Sequence, residues 1–299
     1  MTDVAADLSR TLTSAVEHAA GGVVAVAGRR RGPSSGVVWA DGLIVTAHHT
    51  LEWDEGIEVH GPDGAPLPAA LVGRDPSTDL ALLRVGTSGL HPVRWSEAVP
   101  KVGQLALGVS RARGLRATLG VVSAVGGPWR TAAGGLVDQH LETDVRPHAG
   151  FSGSLLVDTS GAGLGLNTAG LVRGGGVALP PSTVKRVVEA LAAHGQVRRG
   201  YLGVSTLPVR FDPEAEAAAA QAGGLLITSV QSGSPAQQGG VLLGDVLLAI
   251  DGSPLSTARD LLARLDEERV GRAAALRVLR AGQASDLQVT VGSRERSAS

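Results

Sequence analysis

Serine-based acyl transfer needs a hydroxyl nucleophile, an imidazole to take its proton and a carboxylate to orient that imidazole. It also needs backbone amides aimed at the oxyanion that develops. The chain offers a candidate for each. A histidine pair, His48-His49, closes the apolar run "LIVTA". On a strand, successive side chains face opposite sides, so at most one of the pair can face a cleft. Asp79 stands directly before "LALLRV", where a carboxylate either caps a turn or, buried at the lip of a barrel, needs a partner such as an imidazole. Ser152 lies in "HAGFSGSLLVD", where Gly150 and Gly153 would let the amides of Gly150 and Ser152 converge on one point. Each signal alone has a structural explanation: a satisfied histidine, a capped turn, a polar loop.

The elements around these residues are short. From about residue 22 to 180 the sequence is a series of apolar runs ("GVVAVAG", "SGVVWADGLIVTA", "QLALGV", "ATLGVVSAV", "AGLGLNTAGLV") broken by Gly, Pro, Asp and Ser. Regular turn signals between β-rich runs predict an all-β sandwich or barrel, and Asp41-Gly42 predicts a hairpin. The order His, Asp, Ser on such a domain is that of chymotrypsin-type barrels, not of subtilisins or α/β-hydrolases. A helix is expected over 182–194, capped by Ser182, with Val184, Val187, Val188 and Leu191 on one face and Gly195 as its stop.

After residue 199 the pattern becomes mixed α and β. "YLGVST", "GGLLITSV" and "DVLLAIDG" read as strands, and "SPAQQGG" as a short helix capped by Ser234 with Pro235 in its first turn. "STARDLLARLDEE" reads as a helix with Leu261, Leu262 and Leu265 inward, followed by a closing hairpin. The division expected is an N-terminal amphipathic helix (1–20), a β domain (21–195), a second module (196–293) and a tail (294–299).

Composition narrows the function classes. A formal net charge of −1 in 299 residues argues against an electrostatic nucleic-acid binder. The short basic cluster Arg29–Arg31 beside a Gly-Pro turn reads as a solvated loop. Without cysteine, disulfides, zinc-thiolate sites and thiol nucleophiles are excluded. His48, His49 and His60 have no acidic or cysteine partner at ligand spacing, so neither metal nor cofactor is expected. Val4, Leu8, Leu12 and Val16 recur at helical spacing near the start, which reads as an amphipathic helix and not as a signal peptide. No apolar run is long enough for a membrane span. As written the chain reads as cytoplasmic, or as periplasmic or extracellular if a leader was removed.

Taken together the motifs are recognisable. "SGVVWADGLIVTAHHTL", "DPSTDLALLRV" and "TDVRPHAGFSGSLLVDTSGAGLGLNTAG" resemble the histidine, aspartate and serine segments of the HtrA/Deg serine proteases. "RGYLGV" and "GSPAQQGGVLLGDVLLAIDGSPL" resemble that family's PDZ domain. The resemblance covers roughly residues 20 to 293. It implies a mostly β fold, with a chymotrypsin-like double β-barrel followed by an α+β PDZ domain.

The resemblance favours His49 over His48 as the general base, with Asp79 orienting it and Ser152 attacking. It implies an oxyanion hole from the amides of Gly150 and Ser152 with the intervening Phe151. "RGGGVALPP" looks like a wall of the primary specificity pocket, with Val177 lining it. The apolar side chains there suit cleavage after aliphatic residues such as Val. Tyr201, Leu202, Gly203 and Val204 look like the loop that takes a peptide's terminal carboxylate, with the amides of Leu202 and Gly203 as donors.

The function implied is ATP-independent endoproteolysis of unfolded or damaged polypeptides, in protein quality control. The PDZ domain would bind peptide C-termini, and the chain would form a homo-oligomer, a trimer by family habit. The N-terminal helix would serve that assembly or pack on its own barrel. Two departures from the family, Phe151 and Ser154 around the nucleophile, leave room for the alternative of a proteolytically inactive PDZ scaffold or holdase chaperone. "HHTL" also replaces a usual "HVV", and the loop "RRRGPS" is short.

Overall fold

The computed structural model describes residues 3–86, 89–172 and 176–293. The expected tail at 294–299, the first two residues of the expected helix and residues 173–175 of "RGGGVALPP" lie outside the described residues. The chain divides into two compact units between Val197 and Arg198.

In the first unit, helix α1 (Val4–Ala20) opens on Asp3, whose side chain accepts the Ala6 amide. Its expected apolar stripe is only half used. Leu12 and Val16 pack against the core beside buried Ala15 and Ala19, while Val4 and Leu8 are exposed. The helix thus packs on its own unit and leaves its first turns bare.

Six strands then close the first barrel: β1 (Val23–Ala27), β2 (Ser34–Ala40), β3 (Leu43–Ala47), β4 (Ile57–His60), β5 (Pro66–Asp75) and β6 (Leu80–Val85). Their order around it is β1-β2-β3-β6-β5-β4. Alternation of Val, Ile and Leu along each strand sends one set of side chains inward: Val24, Val26, Val38, Ile44, Ala81 and Leu83 form this barrel's core.

The second barrel has the order β11-β14-β13-β12-β7-β8. Its strands are β7 (Leu105–Ser110), β8 (Arg116–Gly126), β11 (His140–Thr143), β12 (Leu155–Val157), β13 (Gly163–Thr168) and β14 (Gly176–Leu179). A small hairpin of β9 (Trp129–Arg130) and β10 (Leu136–Val137) intervenes. The core of this barrel includes Val122, Leu141, Val145, Leu156, Leu164 and, in its midst, Phe151.

The opposite strand faces, with Val37, Val45 and Leu82 from one barrel and Leu107, Val109 and Leu155 from the other, join in one apolar cluster. Each such fully buried aliphatic contributes about 1.5–3 kcal/mol. The loops carrying the candidate site are therefore anchored on two barrels that share one apolar cluster.

Helix α2 (Pro181–His194) buries Val184, Val187, Val188 and Leu191 as the periodicity predicts, and ends at Gly195. Ser182 does not cap it. The helix starts one residue earlier on Pro180-Pro181 with no side-chain cap, because proline supplies the first-turn geometry without needing a donor.

The second unit is a sheet of order β16-β17-β18-β20-β21: β16 (Val204–Arg210), β17 (Gly223–Val230), β18 (Val246–Ile250), β20 (Ala273–Arg280) and β21 (Gln283–Thr290). β19 (Ser253–Pro254) pairs with β18, and β15 (Gly200–Tyr201) pairs with β22 (Gly292–Ser293). Ser234 caps α4 (Pro235–Gln238) as its sequence suggests.

One helix went unforeseen. α3 (Pro213–Ala219) has Pro in its first turn, two glutamates and an alanine run, a start signal that could have been read. The helix expected over "STARDLLARLDEE" is shorter. α5 (Ala258–Arg264) opens with a capping box of Thr257 and Asp260, and a separate 3-10 turn covers Glu267–Arg269. Leu261 and Leu265 are in the core, but Leu262 is 36% exposed, so the expectation that all three point inward fails for it.

Candidate active site

β3 ends at Ala47, and His48–Thr50 form a 3-10 turn. Thr50 Oγ1 closes this turn on the Ala47 carbonyl at 2.7 Å. The two-faced strand argument for the histidine pair therefore does not apply, because a 3-10 turn separates neighbouring side chains by about 120°. His48 turns inward, and its Nδ1 is buried with no partner among the described residues. Burial, reinforced by the positive charge of Arg74, holds its pKa below the ordinary histidine value. His49 turns outward, its side chain 38% exposed.

Asp79 sits in the turn before β6 with φ +59, a left-handed conformation that Asp tolerates better than most residues. That conformation lets one residue grip the histidine turn three times. Its carbonyl accepts the His48 amide at 3.0 Å. Its carboxylate accepts the His49 amide at 2.9 Å and approaches His49 Nδ1 at 2.7 Å. Since a carboxylate accepts, Nδ1 carries the hydrogen and Nε2 is left with its lone pair. The same carboxylate oxygen also accepts the Thr168 hydroxyl.

The end of β13 acts as a rail beside this pair, and its contribution escaped the sequence reading. Asn167 donates through Nδ2 to Ser154 Oγ at 3.0 Å. Thr168 holds Asp79. The Ala169 amide donates to Ser152 Oγ at 3.1 Å. A side chain at Gly170 would lie 2.6 Å from the Asp79 carboxylate and 2.7 Å from His49 Nδ1, so no other residue fits there. The signal was present in "GLNTAG", but nothing in its residue types announces these contacts.

Ser152 is buried at the head of the turn, and its hydroxyl is not hydrogen-bonded to His49. Catalytic hydrogen bonds are often open until substrate arrives. The residues before it form a tight turn. Phe151 N–H donates to the His148 carbonyl at 2.9 Å. Gly150 has φ +84, whereas Ala149 is not left-handed, which together define a type II turn. The carbonyls of 148–152 are all engaged: His148 O by Phe151, Ala149 O by His148 Nδ1, Gly150 O by Ser35 Oγ, Phe151 O by Ser154 N–H and Ser152 O by Ser35 N–H. The amides of buried Gly150 and Ser152 have no acceptor among the described residues. Phe151, expected to contribute an oxyanion donor, does not have its amide free, because the turn consumes it.

Val177 is buried on β14, opposite Thr168 and Glu142. In the second unit, Leu202 and Gly203 bridge β15 and β16. Their carbonyls accept the amides of Ala236 and Gln231, each at 2.8 Å, while their own amides have no acceptor among the described residues. The Tyr201 hydroxyl donates to Gln231 Oε1. β16, which begins at Val204, is an edge strand with α5 packed beside it. Among the described residues no cluster of three or more His, Asp or Glu side chains could hold a metal ion, and no helix is long and apolar enough to cross a membrane.

A trypsin-like peptidase domain model matches residues 34–166, and a PDZ domain model matches 200–291. A solved structure described as HtrA-type protease AlgW with tripeptide is 30% identical, with a TM-score of 0.71, covering 96% of this chain and 98% of that one. The chain belongs to the HtrA family of serine proteases. A serine endoprotease from Yersinia pestis superposes with a TM-score of 0.75 at 29% identity, covering 95% and 98%. A Brucella suis protein named "Probable periplasmic serine endoprotease DegP-like" is 34% identical over 265 residues, 85% of this chain and 51% of its own length. The chain thus spans about half the length of the curated HtrA relatives it matches.

Its two departures from the HtrA pattern at the nucleophile are both accommodated. Phe151 places its ring in the second barrel's core, and Ser154 is buried as the acceptor for Asn167.

Proposed function

We propose that the chain is an ATP-independent serine endopeptidase that cuts unfolded or damaged polypeptides. His49 Nε2 takes the proton of Ser152 Oγ as the hydroxyl attacks the scissile carbonyl, then returns it to the leaving amine. Asp79 holds the imidazole by Nδ1 and stabilises its cation. The amides of Gly150 and Ser152 receive the oxyanion, a contribution of about 10²–10³ in rate per donor in comparable sites. The observation that carries this reading is the His49–Asp79 pair beside a serine whose turn leaves those two buried amides unpaired. The scaffold or holdase alternative rested on Phe151 and Ser154, and neither disturbs this arrangement. Val177 and its neighbours on β14 would favour small or branched aliphatic residues before the cut.

Peptide C-termini would add as a strand to the open edge of β16, with the free amides of Leu202 and Gly203 taking the terminal carboxylate and Tyr201 flanking them. The AlgW structure described with a tripeptide supports peptide binding. Assembly into a homo-oligomer, a trimer by family habit, and a periplasmic location like that in the relatives' names complete the proposal.

The test is cleavage of unfolded casein and labelling by a serine-directed fluorophosphonate. Both should occur with the wild-type chain and vanish in Ser152→Ala. A wild-type chain that neither cuts nor labels overturns the assignment. Peptide capture should need a free C-terminal carboxylate and disappear on amidation of the same peptide.

A further inference from the structure

We propose that His148 is a positioning residue for the oxyanion site, fixing the Ala149–Gly150 peptide so that the Gly150 N–H stays presented to substrate. The inference rests on Gly150 and Ser152 being the oxyanion donors. A four-residue turn of this kind has two related forms, differing by a flip of its central peptide. The type II form needs φ > 0 at the third residue, and the type I form does not. The central peptide here joins Ala149 to Gly150, so its two ends are the Ala149 carbonyl and the Gly150 amide. A flip would turn that amide away and bring the carbonyl toward the side it vacates, which would repel an oxyanion. Whatever grips the Ala149 carbonyl therefore sets the direction of the Gly150 amide.

That grip is the His148 side chain, whose Nδ1 lies 3.1 Å from the Ala149 oxygen. A carbonyl only accepts, so Nδ1 must carry the hydrogen. The ring is not free to swing away. Its Nε2 is 3.4 Å from the hydroxyl of buried Ser110 on β7. It meets the Phe151 ring in a T-shaped contact, with ring centroids 5.8 Å apart and planes at 76°. Phe151 is itself locked in the barrel core. Phe151 thereby acts through His148, as a fixed surface against which the imidazole rests. The next carbonyl, that of Gly150, is held independently by Ser35.

The test compares His148→Ala with His148→Asn, whose side-chain amide can donate from about the place of Nδ1. The measurements, on the full chain, are kcat and KM for unfolded casein, inhibition by a peptide boronate, and thermal midpoint. His148→Ala should lower kcat about tenfold, leave KM within about twofold and weaken the boronate in parallel, since the oxyanion contact is made only in the transition state. His148→Asn should recover most of that loss.

An unchanged kcat in His148→Ala, a loss confined to KM, or an Asn variant as impaired as Ala overturns the proposal. Should His148→Ala fail to fold, Ser110→Ala, which frees only the far side of the ring, is expected to show the same kcat-only loss, and wild-type kinetics there count against it. Failure of the protease reading itself is separable, because then the wild-type chain neither cuts casein nor labels at Ser152.

Discussion

The Ser35 hydroxyl donates to the Gly150 carbonyl at 2.9 Å, across 115 residues of sequence. The same hydroxyl accepts the Arg111 amide at 3.1 Å, and the Ser35 amide donates to the Ser152 carbonyl at 3.3 Å. A strand of the first barrel thus fastens the nucleophile loop of the second on both sides of Phe151. Ser35→Ala removes two hydrogen bonds at a fully buried position and leaves the Gly150 carbonyl unsatisfied. A stability loss of about 1–3 kcal/mol is expected. Turnover should fall more than the folded fraction does, measurable by comparing casein cleavage with urea unfolding.

Gly170 predicts a sharper effect. An alanine there places a methyl 2.6 Å from the Asp79 carboxylate and 2.7 Å from His49 Nδ1. The imidazole or the carboxylate must move, and a displacement of about 1 Å costs on the order of 100-fold in such chemistry. Gly170→Ala should lose that much in kcat while retaining its far-ultraviolet dichroism and peptide binding by the second unit. Wild-type turnover would mean that the pair is not the one used.

Phe151 is expected to matter for stability first. Truncating a buried phenylalanine costs about 3–5 kcal/mol, so Phe151→Ala should show a markedly lower thermal midpoint. Phe151→Asn should be no better, because its amide would enter an apolar core without a partner. Calorimetry of the three proteins decides this.

A pH effect belongs to the second unit. Burial tends to raise the Asp245 pKa, but hydrogen bonds from Arg280 and the Leu242 amide, with the Arg280 charge, outweigh it and hold the carboxyl below its usual value. A depressed carboxylate pKa gives stability that is present above about pH 4 and is lost as pH falls through the folded value. Arg280→Gln should therefore destabilise at pH 7, by about 1–3 kcal/mol. This is less than a fully buried pair would lose, because the guanidinium is 38% exposed. The difference should shrink toward pH 3, read from urea midpoints at both values.

Much of the site was legible because each of its three residues lies within three positions of an apolar strand: His49 after β3, Asp79 before β6 and Ser152 before β12. Strand periodicity marks such places. Ser35, Thr168 and the Ala169 amide left no comparable trace. Their contacts join segments far apart in sequence, and a hydroxyl inside a strand looks the same whether it binds a carboxylate or a neighbouring carbonyl. The shortened α5 and the 3-10 turn at His48–Thr50 were missed for a local reason. Helix ends and single turns are decided by one or two hydrogen bonds, too few to produce a periodic pattern.

The aromatic ring at position 151 has one more consequence, for cooperativity. A loop that puts its bulkiest side chain in a barrel core, and ties its carbonyls to another barrel, cannot open as a separate foldon. The hydrogen-bonded amides of Phe151 and Ser154 should exchange as slowly as those of the barrel strands. Heat should abolish activity only where the barrels themselves melt, with no lower-temperature phase of folded but inactive protein.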